Sequence, residues 1–192
     1  MKVIAFCGSP RGNGNTMALL KTVCESLENE GVETEIIDLY EGDLSGCRAC
    51  DQCHVNKDMK CVIARDKLNE YVEKMAKADG ILIGSPVYFA NVSSNVKSFI
   101  DRAGRVGRAN GNLYKYKAGA AVAAVRRAGA LNVFNSINHF FLISQMFVVG
   151  STYWNLGIGK NRGDVLGDEE GISNMKNLGQ NMSWMLKKIS DQ

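Results

Sequence analysis

Five consecutive apolar residues, Val3-Ile4-Ala5-Phe6-Cys7, run straight into Gly8-Ser9-Pro10-Arg11-Gly12-Asn13-Gly14-Asn15-Thr16. No other stretch constrains the fold as much. An apolar run of this length, with β-branched members, reads as a strand buried on both faces, and such strands belong to parallel sheets covered by helices. The glycines and asparagines then mark a tight loop. Leu19, Leu20, Val23, Cys24 and Leu27 follow at helical spacing, and Gly31 stands where a helix ends in a left-handed turn. In such a strand–loop–helix unit the loop amides and the first helical N–H groups converge without partners of their own. The helix dipole adds positive potential there, so the unit is expected to bind an anion.

Missing features narrow the anion. A P-loop has four residues between its glycines and a lysine after the second, whereas five separate Gly8 from Gly14 and Asn15 stands in the lysine position. The dinucleotide fingerprint Gly-x-Gly-x-x-Gly also fails, because Gly12-Asn13-Gly14-Asn15-Thr16 is followed by Met17. A single phosphate monoester remains. Ser9, Asn15 and Thr16 offer hydrogen bonds, Arg11 offers one positive charge, and the glycines let the backbone close around the oxygens. An ordinary glycine-rich turn has the same composition, so the loop alone leaves both readings open.

Further apolar runs extend the pattern. Val32 to Asp38, Ile81 to Ile83, Ala118 to Val125 and Met146 to Val149 read as four more strands, with amphipathic helices between them. Asp66 is expected to cap the helix carrying Leu68, Tyr71, Val72 and Met75, and Ser93 starts the one carrying Val96, Phe99, Ile100 and Ala103. Gly104 to Lys117 reads as a basic loop and Ser151 to Gly167 as a glycine-dotted one. Val133, Phe134, Ile137, Phe140 and Phe141 mark the fourth helix, and Met175, Leu178 and Met182 lie on the inward face of the last. The expectation is an α/β three-layer sandwich with a five-stranded parallel sheet in the order 2-1-3-4-5. The 192 residues fit a single domain, with a cysteine-rich insertion at about 39 to 64.

In that topology the loops at 8–16, 84–91, 126–130 and 151–156 leave the carboxyl edge of the sheet, where ligands bind. Tyr88 and Phe89 offer flat surfaces to a planar ring, and the amides around Val87 and Asn91 offer partners for its oxygens and nitrogens. A phosphate pocket beside an aromatic loop fits a flavin mononucleotide; the alternative is that both rings merely cover strand ends. Tyr153 and Trp154 are expected at the same edge. A net charge of +3 and the lack of a basic run with interleaved aromatics argue against nucleic acid. Arg102, Arg105, Arg108, Lys115 and Lys117 are expected on a solvated surface, with a nucleotide phosphate or an acidic electron-transfer partner as the alternatives. No stretch is long and apolar enough for a signal peptide or a membrane span, so a cytoplasmic protein is expected.

Six cysteines in a reducing compartment suggest metal or redox chemistry rather than disulfides. Cys47-x2-Cys50-x2-Cys53-x7-Cys61 has the tight spacing of bacterial iron–sulfur sites. Four thiolates also make a tetrahedral zinc set, and unligated thiols are a third reading. His54 is an alternative ligand on a loop. Cys7, Cys24 and His139 read as structural residues.

Gly8-Ser9-Pro10-Arg11 with Gly14-Asn15-Thr16, then Gly84-Ser85-Pro86-Val87-Tyr88-Phe89-Ala90-Asn91-Val92-Ser93, then Phe99-Ile100-Asp101-Arg102, resembles the NAD(P)H-dependent FMN reductase family, whose fold is flavodoxin-like. The cysteine segment resembles the iron–sulfur flavoproteins within it. The resemblance implies that Ser9, Arg11, Asn15 and Thr16, with Asn13 in the same loop, hold the FMN phosphate. It implies that Pro86, Val87, Tyr88, Phe89 and Asn91 line the isoalloxazine, and that Cys47, Cys50, Cys53 and Cys61 hold a [4Fe–4S] cluster. Many relatives carry a glycine-rich loop after the fourth strand, where this chain has Arg126-Arg127-Ala128-Gly129. The implied activity is FMN-dependent transfer of electrons from NAD(P)H or a reduced carrier protein to a quinone, another flavin or another small acceptor, in a homodimer or homotetramer. The alternative is a carrier that exchanges electrons without turning over a substrate. Neither scheme demands an acid–base side chain, and none is assigned as catalytic.

Overall fold

The computed structural model describes residues 1–190. Its order is β1 (Lys2–Cys7), α1 (Asn15–Asn29), β2 (Glu33–Asp38), α2 (Gln52–Asn56), α3 (Leu68–Lys77), β3 (Gly80–Pro86), α4 (Ser94–Ala109), β4 (Ala118–Val125), α5 (Ala130–Ile143), β5 (Phe147–Val148), β6 (Leu156–Ile158) and α6 (Glu169–Ser190). Every strand pairing is parallel. The order is β2-β1-β3-β4-β5, with β6 also paired to β4. This is the doubly wound arrangement expected from the apolar runs, and the flavodoxin-like fold that the family resemblance implies.

Alternation within each apolar run fills two separate cores. Ile4, Phe6, Ile81 and Ile83 face one side, where they meet residues of α3, α4 and α5. Val3, Ala5, Cys7 and Leu82 face the other, against α1 and α6. A strand with both faces dry has no position for a polar side chain, which is why these runs lack polar alternation. Phe6 sits between two rings, 4.5 Å from Phe99 and 5.8 Å from Tyr71 between centroids. The helix turn foreseen at Gly31 is present: its φ is +81°, and the following Val32 N–H donates to the Leu27 carbonyl at 3.0 Å.

Three boundaries differ from the expectation. The fifth strand is interrupted, so that Phe147 and Val148 pair with the start of β4 and Leu156 to Ile158 with its end. Residues 149–155 therefore separate the two halves of the strand, so that most of the stretch 151–156 does not leave the carboxyl edge, and Trp154 packs 5.9 Å from Phe134 of α5. The loop leaving the edge is the one after β6. Second, α4 runs through Gly104 and Gly107 to Ala109, so Arg105 and Arg108 are helical and not in a loop. Gly107 permits close packing, since a Cβ there would lie 2.5 Å from the Tyr114 ring, whereas one on Gly104 would make an ordinary 3.4 Å contact with Phe140. Third, Lys67 rather than Asp66 occupies the cap position of α3, while the Asp66 carboxylate accepts from the Leu68 N–H at 3.3 Å. Among the described residues no helix is long and apolar enough to cross a membrane.

Candidate functional site

At the carboxyl edge, β1 and β3 end side by side and their loops are tied together by buried serines. The Gly8 N–H donates to the Gly84 carbonyl at 2.8 Å. The Ser93 hydroxyl donates to the Gly8 carbonyl at 2.7 Å, and the Ser93 N–H to the Ser85 hydroxyl at 3.0 Å. Sequence reasoning gave Ser93 only a helix start, and Ser85 no role. Their joint function depends on partners far along the chain, a signal that spacing does not carry.

The loop 8–14 curls back on itself. The Gly14 N–H donates to the Arg11 carbonyl at 3.0 Å, and the Arg11 N–H to the Ser9 hydroxyl at 3.2 Å. A Cβ at Gly14 would lie 2.9 Å from that same carbonyl, so the curl requires glycine. Asn13 adopts a left-handed φ of 53°, whereas Gly12 faces open space. No side chain caps α1 at Gly14. The first-turn N–H groups thus remain available to an anion in the crook of the loop. Thr16 is buried in that turn with its methyl against Gly84, Ser9 is buried beside it, and Arg11 is exposed.

Asn15 is engaged elsewhere than expected. Its amide nitrogen donates to the Asn161 carbonyl at 2.9 Å, and its oxygen accepts from the Gly163 N–H at 2.8 Å. The side chain fastens the loop after β6 to the start of α1. A cleft of about 530 Å³ borders the glycine loop on the β2 side, with Gly12, Asn13, Asp38 and Lys67 in its walls.

Beyond β3 the chain makes a two-residue turn. Tyr88 and Asn91 exchange N–H···O=C bonds of 2.9 and 3.0 Å, while Phe89 and Ala90 both adopt left-handed φ values, 47° and 57°. Neither is glycine, so the turn stores strain of about 1–2 kcal/mol per residue. Such strain persists where the surroundings over-determine it, and often marks a ligand clamp. Here Val87 N–H is bonded to the Ala124 carbonyl at 3.0 Å, and Asn91 Oδ1 accepts from Val92 N–H at 2.8 Å and Ser136 Oγ at 3.0 Å. Gly129, at φ +91°, lets the loop after β4 abut Ala90, where a Cβ would come within 3.1 Å. The Phe89 ring projects wholly into solvent, Tyr88 is also exposed, and Pro86 and Val87 are half-buried.

The cysteine segment lies against α4. Cys47, Cys50, Cys53 and Cys61 all line one small cavity, together with Arg102 and Arg105. Cys53 is buried, Cys61 half-buried, and Cys47 and Cys50 exposed. Among the described residues no three Cys, His, Asp or Glu side chains are already gathered at metal-binding geometry. The backbone winds tightly, with left-handed φ at Ala49, Asp51, Lys57 and Met59. The Ala49 N–H donates to Cys47 Sγ at 3.4 Å. Asn69 of α3 grips Cys61 from both sides, accepting from its N–H at 2.8 Å and donating to its carbonyl at 2.9 Å. Burial pushes the Cys53 thiol above its ordinary pKa, against the opposing charge of Arg105. By contrast Cys7 and Cys24 lie in the core, their thiols pushed up by burial to about 11 and about 12. His54 and the exposed His139 lie elsewhere, along a groove of about 880 Å³ between α4 and α5.

Residues 1–161 match the family of NADPH-dependent FMN reductases. The chain is 40% identical to an iron–sulfur flavoprotein of Methanocaldococcus jannaschii, over 98% of this chain and 99% of that one. Among solved structures it resembles a flavodoxin, WrbA-like protein from Agrobacterium tumefaciens (TM-score 0.68, 15% identity, 97% of each chain). It also resembles an NAD(P)H:quinone oxidoreductase from Methanothermobacter marburgensis (TM-score 0.70, 16% identity, 95% of this chain and 98% of that one). At such identities the likeness of structures establishes the fold. The sequence match establishes the kinship: this chain belongs to the NADPH-dependent FMN reductase family.

Proposed function

We propose that the chain binds FMN at the carboxyl edge and acts as an oxidoreductase between NAD(P)H, or a reduced carrier protein, and a quinone, a flavin or another small acceptor. The observation that carries this reading is the uncapped start of α1, curled under by Gly14 and set beside a strained aromatic turn. The phosphate would rest against the first-turn N–H groups, with Ser9 and Thr16 next to it, Arg11 supplying charge and Asn13 shaping the loop. Asn15 contributes by holding the loop after β6 in place. Pro86, Val87, Tyr88 and Phe89 would flank the ring, with Asn91 keeping the turn in shape through its bonds to Val92 and Ser136. Bound flavin supplies acceptance of a hydride and release of electrons singly or in pairs. The protein's part is to orient that group and keep one face open to the donor.

The cysteine segment supports a second centre. Its four thiols offer the ligand set of an iron–sulfur cluster, and the two arginines lining the same cavity suit the negative charge of a thiolate-ligated group. The relative from Methanocaldococcus jannaschii is itself named an iron–sulfur flavoprotein.

Protein purified without oxygen and assayed for flavin, iron and sulfide tests both centres. Stoichiometric FMN with steady oxidation of NAD(P)H in the presence of a quinone supports the enzyme. Bound FMN without turnover on either nicotinamide favours the carrier, and protein that takes up no FMN overturns the reading.

A further inference from the structure

Arg102 is a guanidinium with its side chain wholly buried in a domain of this size, and its hydrogen bonds explain only part of why it is there. Nη1 donates to the Ser45 carbonyl at 3.2 Å and to the Asp66 carboxylate at 2.5 Å, and Nη2 donates to the Ile63 carbonyl at 2.9 Å. Ser45 precedes Cys47 and Ile63 follows Cys61, so a single planar group on α4 staples both ends of the segment that carries all four cysteines. Of the two donors left over, a second Nη2–H and Nε–H, the Nε–H is buried and has no partner among the described residues. One turn further along α4, Arg105 pairs through Nη2 with Asp51, between Cys50 and Cys53, and its Nε–H is likewise buried and unpartnered. Both arginines line the cysteine cavity.

An orphaned buried donor is costly, so two of them on residues that line one cavity call for an acceptor. The neutral thiol is a weak acceptor; a metal-bound thiolate or sulfide is a far better one.

We propose that Arg102 and Arg105 are positioning residues of the cysteine centre: Arg102 holds the two ends of the ligand segment on α4, and the Nε–H groups of both arginines hydrogen-bond the sulfurs of the bound iron–sulfur group and offset its charge. The inference rests on the cluster reading given above. Donors and positive charge near the sulfurs favour the reduced, more negative form, so they raise the reduction potential.

The test uses full-length protein, purified without oxygen and loaded with iron and sulfide, with its potential followed by absorbance and electron paramagnetic resonance. Arg105→Gln removes the charge and the fork at a half-exposed position and is expected to fold, take up full iron and sulfide, and shift the midpoint to a more negative potential. Arg105→Lys keeps the charge without the planar donor and is expected to fall between the two. Arg102→Lys is expected to release iron to a strong chelator about tenfold faster or more, the usual effect of losing a partner of a metal ligand. A fully loaded Arg105→Gln protein with the wild-type midpoint would overturn the inference while leaving the cluster reading intact. Wild-type protein that takes up flavin but neither iron nor sulfide would overturn the cluster reading, and this inference with it.

Discussion

Arg102 on α4 and Asp66 ahead of α3 form a 2.5 Å ion pair whose side chains are 0% and 1% exposed. The pair joins the cysteine segment to the sheet-covering helix beside it, and Asp66 adds bonds from the Leu68 and Ser45 N–H groups at 3.3 and 3.4 Å. Asp66→Asn is expected to destabilise the fold by about 3–5 kcal/mol, because it leaves a guanidinium buried without its counter-charge. Urea unfolding of the two proteins at neutral pH measures this, and a loss below the range of an ordinary surface change would refute it.

The same pair makes stability pH-dependent. Burial pushes the Asp66 carboxyl up, but the hydrogen bond from Arg102, the N–H donors and the guanidinium charge outweigh it and hold the group below the ordinary carboxylate range. The folded value therefore lies below the unfolded value of about 3.9. Its stabilisation is full above the unfolded value and is lost as pH falls through the folded one. The gap in stability between wild type and Asp66→Asn is expected to be constant near neutrality and to shrink below about pH 4. A gap that widens on acidification contradicts this assignment.

Thr16→Val keeps the methyl that packs on Gly84 and exchanges the hydroxyl in the first turn of α1 for a second methyl of similar size. The proposed phosphate site predicts a loss of FMN affinity of about 1–3 kcal/mol through a missing charge-assisted bond. Fluorescence titration of apoprotein with FMN measures it, and unchanged affinity removes Thr16 from the site.

Phe89 touches so little protein that Phe89→Ala should leave thermal stability within about 0.5 kcal/mol of wild type. Its proposed contact with the flavin ring predicts weaker FMN binding all the same. Calorimetry with and without flavin separates the two effects; a variant with wild-type flavin affinity shows that the ring lies elsewhere.

Gly84→Ala would place a Cβ 2.8 Å from Leu20 Cδ1 and 2.9 Å from Thr16 Cγ2. Leu20 has a flexible end, but Thr16 sits at the start of α1 and moves only with the helix. The expected result is destabilisation of about 1–3 kcal/mol from overpacking, accompanied by weaker FMN binding because the first turn shifts. Full flavin affinity in a destabilised variant would show that the helix start and the ligand are uncoupled.

Much of the architecture was legible in local pattern. The runs Val3 to Cys7, Ile81 to Ile83 and Ala118 to Val125 state their double burial through the lack of polar residues, and Gly31 states its helix end through its permitted φ. The interruption of the fifth strand was not legible, because a two-residue strand, Phe147–Val148, is held by its pairing to Ala118 and Gly119 and not by its own composition. The helical run through Gly104 and Gly107 is illegible for a related reason: glycine weakens a helix locally, and it is the Tyr114 ring, beyond the end of the helix, that requires glycine at 107.

By itself the sequence determined the parallel sheet, the glycine-rich turn that opens α1 and the presence of four closely spaced thiols, since each follows from the periodicity, glycine content or spacing of neighbours along the chain. Tertiary structure alone decided that Asn15 spends both ends of its amide on residues 146 and 148 positions away, and that Arg102 reaches back 57 and 36 positions to Ser45 and Asp66. The physical reason is that a buried polar group must satisfy its hydrogen bonds with whatever the fold brings near, and those partners are set by packing, not by distance along the chain.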